Sequence, residues 1–134
     1  MKAVSKKADV SKHRDFEKIS KDFADGSESA YTFEYYNAAG VLVIHAAIAL
    51  ADSITVKLAG KKCSGNSHYD IIELLRQVTP SSANKNKALE QFKKLIDHKN
   101  QVSYHGDIYF KKDVDKLFKY FTRFKDWAES LPKN

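Results

Sequence analysis

Residues 30–58, AYTFEYYNAAGVLVIHAAIALADSITVKL, form the one long segment of the sequence that is apolar nearly all round. Apolar side chains recur in steps of three and four residues, which is the period of an α-helix, and further apolar positions widen the surface beyond one stripe. If it is helical throughout, the segment spans about 43 Å at ~1.5 Å per residue. The pattern therefore predicts a long central helix on which the rest of the chain packs.

Small residues make parts of this helix thin, which predicts that other helices approach it closely; they are Gly40, Ala38, Ala39, Ala46, Ala47 and Ala49. Two polar residues, His45 and Asp52, interrupt the apolar run. The uninterrupted part is too short to cross a bilayer, and polar residues inside a span are costly. We therefore expect no membrane span.

Three polar residues, Asn37, His45 and Asp52, are spaced eight and seven residues apart and so lie roughly on one line of the central helix. Each needs a partner, because an unpaired buried polar group costs about 1–3 kcal/mol. Two interpretations remain open. The line is structural, bonded to carbonyls, a lysine or a loop amide, or it forms the floor of a cleft.

Composition indicates one soluble domain of 134 residues, with 43% hydrophobic and 30% charged residues. Glycine and proline are scarce, at 5 and 2 residues, which favours long helices over a β-sandwich. A single cysteine, Cys63, excludes an internal disulfide, and without a secretion signal the cytoplasm is the expected compartment. The net charge of +6 is compatible with a polyanionic partner but is not specific for one.

The flanking segments predict an all-α, antiparallel up-and-down bundle of about five helices in one domain, residues 1–134, without strands. Residues 1–8 and 132–134 are expected to fray. We expect a first helix from Asp9 or Ser11 to Ala24, a stop and restart at 25–28, and a C-cap at Gly60. Beyond it we expect a loop at 63–66 and a helix over 67–78. The next helix is expected to begin between residues 82 and 84 and to end between 99 and 104. After a turn at Gly106, the last helix is expected to begin near 113 and to end at 131–132.

Polar and titratable groups concentrate in residues 97–107, where the fourth helix ends. Lys99, Asn100, Tyr104 and His105 supply a cation, an amide, a phenol and an imidazole, a set able to grip a phosphodiester. Histidine can move protons near neutral pH, and lysine can neutralise developing negative charge. The alternative is that His105 and Gly106 only cap the helix while Lys99 and Asn100 are solvated.

The layout resembles the HEPN (higher eukaryotes and prokaryotes nucleotide-binding) domain, a small helical bundle with a long alanine-rich second helix. In that family an arginine near the end of a later helix is usually followed by a polar residue, then four to six residues, then a histidine. The run from Lys99 to His105, KNQVSYH, has this form with lysine in place of arginine. The segments HAAIALADS, SYHGD and FTRFKDWAESLP add to a resemblance that covers roughly residues 16–131.

This resemblance implies RNA or nucleotide binding and, in active members, metal-independent RNA cleavage across a symmetric homodimer. His105 would take the histidine role, Asn100 the polar position and Lys99 the arginine position. We expect Tyr104 to belong to the same cleft, with His45 or Asp52 behind it. Lysine keeps the charge but lacks the planar, two-pronged grip of arginine on phosphate. Many family members are non-catalytic and pair with a separate protein such as a nucleotidyltransferase, and some are toxin or antitoxin components.

Two function hypotheses therefore stand: a HEPN-like domain that binds, and in the stronger form cleaves, RNA, and a non-catalytic interaction module. No cofactor is expected. No metal site is expected either, because no pair of the five histidines has the spacing of a known metal motif. The tyrosines at 31, 35 and 36, with Phe33, either stack bases or belong to the core and a dimer surface.

Overall fold

The computed structural model describes residues 4–65 and 67–132 and confirms an all-α helical bundle with one long helix. Two three-residue strands and a 3-10 turn, Val10–Lys12, complete the described structure. The helices are α1 (His13–Thr32), α2 (Tyr36–Ala59), α3 (Tyr69–Val78), α4 (Lys85–Tyr104) and α5 (Lys111–Glu129), and the strands are β1 (Ser5–Lys7) and β2 (Lys61–Cys63).

Helix α2 is the centre of the bundle and packs against the other four helices. Most of its residues from Ala39 to Val56 are buried. Its small residues allow the expected close approach, since a Cβ built on Gly40 would lie 2.9 Å from the Val102 side chain of α4. The helix is apolar enough to span a membrane, but 78% of its most apolar window is buried in the bundle, as in the core helix of a soluble protein.

The boundary between α1 and α2 differs from the prediction. Helix α1 does not stop at Ala24 but continues through 25–28 to Thr32, and the break falls at 33–35, where Glu34 has a left-handed φ of 64°. Packing explains the difference, because Gly26 faces Leu42 of α2 and the buried Ser27 hydroxyl donates to the Ala39 carbonyl at 2.7 Å. In the sequence these residues indicate a break, but in the fold the Ser27 hydrogen bond joins α1 to α2 and the helix continues through Gly26.

The two short strands pair antiparallel, with Ser5 opposite Cys63, and they correct the expectation of a strand-free chain. Residues 5–7 are therefore ordered by pairing rather than frayed. Residues 1–3 and 133–134, which are also predicted to fray, lie outside the described residues. The same holds for Asn66 of the predicted loop at 63–66.

After α2 ends at the left-handed Gly60, the chain returns along α2 instead of continuing away from it. Lys62 of β2 lies 3.7 Å from Asp52 of α2, and Tyr69 at the start of α3 donates to Asp97 near the end of α4. Helices α3, α4 and α5 then follow, with the last two close to their predicted bounds. The returning chain brings Lys62 beside α2 at Asp52.

Candidate functional site

Lys99 lies on the packed face of α4 and not on its solvent face. It follows the buried Leu95 by four residues and precedes the buried Val102 by three, the spacings that share one helix face. Its side chain is half-buried. Its charge therefore acts on groups of neighbouring elements.

Those groups are two half-buried imidazoles, His45 of α2 and His68 just before α3. Burial, and after it the Lys99 ammonium, lower the pKa of His45 below its usual 6.5. Burial also lowers the pKa of His68. The charges of Lys99, His45 and Lys62 lower it further, in that order of size. Both rings are therefore neutral at pH 7 and able to accept a proton. We call His45, Lys62, His68 and Lys99 the basic cluster.

Asp52 contacts Lys62 of the cluster and is a buried carboxylate. Only 6% of the residue is exposed, and its Oδ1 has no hydrogen-bond partner. Burial raises the pKa of Asp52 to about 6, against the opposing effect of the Lys62 ammonium. Because the other carboxylate oxygen faces Lys62 at 3.7 Å, Asp52 positions that lysine.

Two phenylalanines of α1 flank the cluster. The Phe23 ring centroid lies 5.7 Å from that of His45, and the Lys62 ammonium lies 6.0 Å from the centre of the Phe16 ring. Both phenylalanines are half-buried, so part of each ring is open to solvent. The cluster thus combines cations, neutral imidazoles and aromatic surface, which are the groups that bind phosphate and stack on bases.

Asn37, the third residue of the predicted polar line, has a structural role. Its amide nitrogen donates to the carbonyls of Val102 and Asp107 at 3.0 and 2.9 Å, and its oxygen accepts from the Tyr109 amide at 2.8 Å. These bonds fasten the start of α2 to the loop between α4 and α5. The line predicted on α2 therefore divides between a structural residue, Asn37, and the residues at the cluster, His45 and Asp52.

The structure separates the other predicted site residues from Lys99. Asn100, Tyr104 and His105 are all exposed, and His105 is the residue that follows α4. Six residues on a helix turn through about 600°, so Lys99 and His105 point about 120° apart around the α4 axis. Of the predicted set, the fold brings Lys99 near His45, and Asp52 lies beside Lys62. Asn100, Tyr104 and His105 are exposed at the end of α4.

That end of the bundle carries exposed large apolar side chains. Phe33 and Tyr35, 68% and 65% exposed, stack on each other in the α1–α2 connection, and Tyr104 is 77% exposed. Ile108 and Phe110 of the next loop are also exposed. Because Asn37 bonds this loop to the start of α2, the five side chains belong to one end of the molecule.

Sequence reasoning missed Lys62, His68, Phe16 and Phe23 as members of the site. The two phenylalanines carry a signal, their seven-residue spacing on one face of α1, but this spacing is equally typical of residues that only pack. Lys62 and His68 had none, because only the return of the chain along α2 brings them to the site. Within residues 4–65 and 67–132, no three His, Cys, Asp or Glu side chains form a metal-binding group.

The structure thus defines the class of protein as a small all-α bundle built on one apolar helix. No family model, no curated protein and no solved structure matches the chain.

Proposed function

We propose that this chain is a HEPN-like domain that binds RNA or a nucleotide, with its phosphate contacts in the basic cluster. The observation that carries the proposal is a juxtaposition on α2: the Phe23 ring lies 5.7 Å from His45, and Lys62 lies 3.7 Å from Asp52. The Lys99 charge, which lowers the pKa of His45 and His68, agrees with it. Lysine and histidine from three separate elements meet at one place beside aromatic rings. The net charge of +6 favours association with a polyanion.

The chemistry follows from these groups. Lys99 and Lys62 would neutralise phosphate charge, and a bound anion would favour protonation of His45 and His68, which then become donors as well. Phe16 and Phe23 would offer ring faces to bases. Asp52 would hold Lys62 in place.

Binding is tested with a fluorescein-labelled oligouridine and fluorescence anisotropy over a salt series. Lys99→Ala should weaken binding about tenfold or more, since a hydrogen bond to a charged group is worth about 1.5–3 kcal/mol. Lys87→Ala is the matched control, because Lys87 is an exposed lysine of the same helix. Equal affinity of the two variants would remove the basic cluster from the binding site.

Cleavage is the stronger form of the proposal, and the resemblance supports it. A neutral His45 near Lys99 could accept a proton while the ammonium stabilises charge on the phosphate. Single-stranded RNA should be cut in the presence of a chelator. Loss of cutting in His105→Ala alone would support the family role of His105, whereas loss in His45→Ala alone would assign the proton transfer to the cluster. Retained cutting in both would exclude both histidines.

We also propose that the chain forms a homodimer through its exposed apolar end. Phe33, Tyr35 and Tyr104 offer the apolar surface that dimers bury, and a symmetric pair would bring two copies of His105 together. Tyr104→Lys should convert a dimer to a monomer in analytical ultracentrifugation. A wild-type monomer at high concentration would contradict this arrangement.

The second function is that of a non-catalytic module that binds a separate protein. A groove on the side of α1 that faces away from the basic cluster favours it. The groove has a volume of about 780 Å³ and lies between α1 and α5, over α2. Under this function no RNA is cut and a protein partner co-purifies with the chain. The cytoplasm remains the expected compartment for either function.

A further inference from the structure

Helices α1 and α5 diverge and leave a groove between them, here named the α1–α5 groove. In the described part of the chain, the hydrogen bonds and ring contacts that join these helices all involve Tyr31, which donates to Asp115 at 2.6 Å and packs on Phe118. Toward the other end the lining of the groove extends to Glu17 of α1 and Glu129 of α5. The Glu17–Glu28 face of α1 covers eleven residue steps, about 16 Å or three helical turns.

The floor of the groove is apolar and only partly covered. Leu50 and Leu58 of α2 and Phe118 and Phe121 of α5 line it, and each is half-buried. Burying such side chains fully would be favourable, since each Å² of apolar surface removed from water contributes about 25 cal/mol. An apolar floor beside a wall about 16 Å long suits the apolar face of a helix.

The rim of the groove has the opposite sign of charge to the chain as a whole. Five carboxylates and three lysines line it, a formal −2, whereas the chain carries +6; they are Glu17, Asp25, Glu28, Asp126, Glu129, Lys21, Lys57 and Lys125. Two of the lysines form ion pairs within their own helices, with Asp25 and Glu129. In the described residues Glu28 and Asp126 form no ion pair and stand on opposite walls.

We propose that the α1–α5 groove binds a basic amphipathic helix of a partner protein. Apolar residues at i, i+3, i+4 and i+7 of that helix would cover Leu50, Phe118 and Phe121. Lysines or arginines along its two edges would pair with Glu28 on one wall and Asp126 on the other. This proposal deepens the interaction-module function and is independent of the anion site, because α1 separates the groove from the basic cluster.

The test is a ¹H–¹⁵N correlation titration of the whole chain with a synthetic probe. The probe is a 14-residue peptide with leucine at the i, i+3, i+4, i+7 positions and lysine or arginine elsewhere, and its matched control carries glutamate in place of each cation. The basic peptide should shift resonances of groove residues and saturate. The acidic peptide should bind at least about tenfold more weakly, because like charges oppose it.

Charge reversal at exposed rim positions supplies variants that should fold. Glu28→Lys and Asp126→Lys should each weaken binding of the basic peptide severalfold, and the double variant should favour the acidic peptide. Glu90→Lys, an equal charge change on the exposed face of α4, should leave the affinity unchanged, as should Lys99→Ala.

Three results would overturn the proposal. They are equal binding of both peptides, shifts confined to residues outside the groove, and groove shifts that depend on the concentration of the protein alone. The last would show that a second copy of this chain fills the groove. Loss of RNA binding in Lys99→Ala with intact peptide binding would separate the two sites.

Discussion

Replacing Asp52 by asparagine is expected to stabilise the protein above pH 6 and to lose that benefit in acid. Asp52 is 94% buried, and its Oδ1 has no hydrogen-bond partner among the described residues. The ammonium of Lys62 lies 3.7 Å away. Desolvation of the carboxylate exceeds the attraction to Lys62, so the pKa of Asp52 rises to about 6. Charging this group in the folded state therefore opposes folding.

The size of the effect follows from the two pKa values. The carboxyl has a pKa of 3.8 in the unfolded chain and about 6 in the folded protein, a difference of about two units. At ~1.4 kcal/mol per unit the charged form costs roughly 3 kcal/mol of unfolding free energy. Below pH 3.8 both states are protonated and the cost is absent; it grows as the pH rises and is complete above pH 6.

The measurement is urea unfolding followed by circular dichroism at five pH values from 4 to 8. The unfolding free energy of Asp52→Asn minus that of the wild type should rise by about 2–3 kcal/mol across this range. Any constant cost of the buried amide cancels in this comparison. Asp126→Asn, an exposed carboxylate, is the control. A difference that is flat with pH, or that falls, would refute the electrostatic account of Asp52.

Further predictions concern packing and pH. Gly26→Ala should raise the free energy of unfolding by about 0.5–1 kcal/mol, because alanine has the higher helix propensity. Gly40→Ala should lower it by about 1 kcal/mol in the same urea assay, because the added methyl group would lie 2.9 Å from the Val102 side chain. Affinity for oligouridine should increase as the pH falls from 8 to 5, because protonation of His45 and His68 adds positive charge. In the double variant His45→Ala, His68→Ala, the affinity should no longer depend on pH in this way.

The class of fold could be predicted because each helix carries a local pattern. The apolar residues of α5 recur with a helical period, and Val114, Leu117 and Phe124 among them are buried. This period and the continuous apolar surface of α2 are visible without information from distant residues. The boundary at 25–28 could not be predicted, because the effects of Gly26 and Ser27 depend on the packing of α1 against α2. Local signals of a helix break were overridden by that contact.

The candidate site could be predicted only in part, for the same reason. His45 and Asp52 were singled out because a polar residue on an apolar helix is conspicuous in a sequence. Lys99 was singled out by its place near a helix end. Lys62 and His68 gave no such signal, since their position depends on the path of the chain after Gly60.

The pairing of β1 with β2 has a consequence for folding order. Ser5 and Cys63 are far apart in sequence, so their pairing closes a long loop and should form after the α1–α2 pair. Backbone amides at this pairing should exchange with deuterium sooner than those of α2. In a molecule whose strands have separated while the helices remain packed, Lys62 is no longer held beside Asp52, and the basic cluster is incomplete.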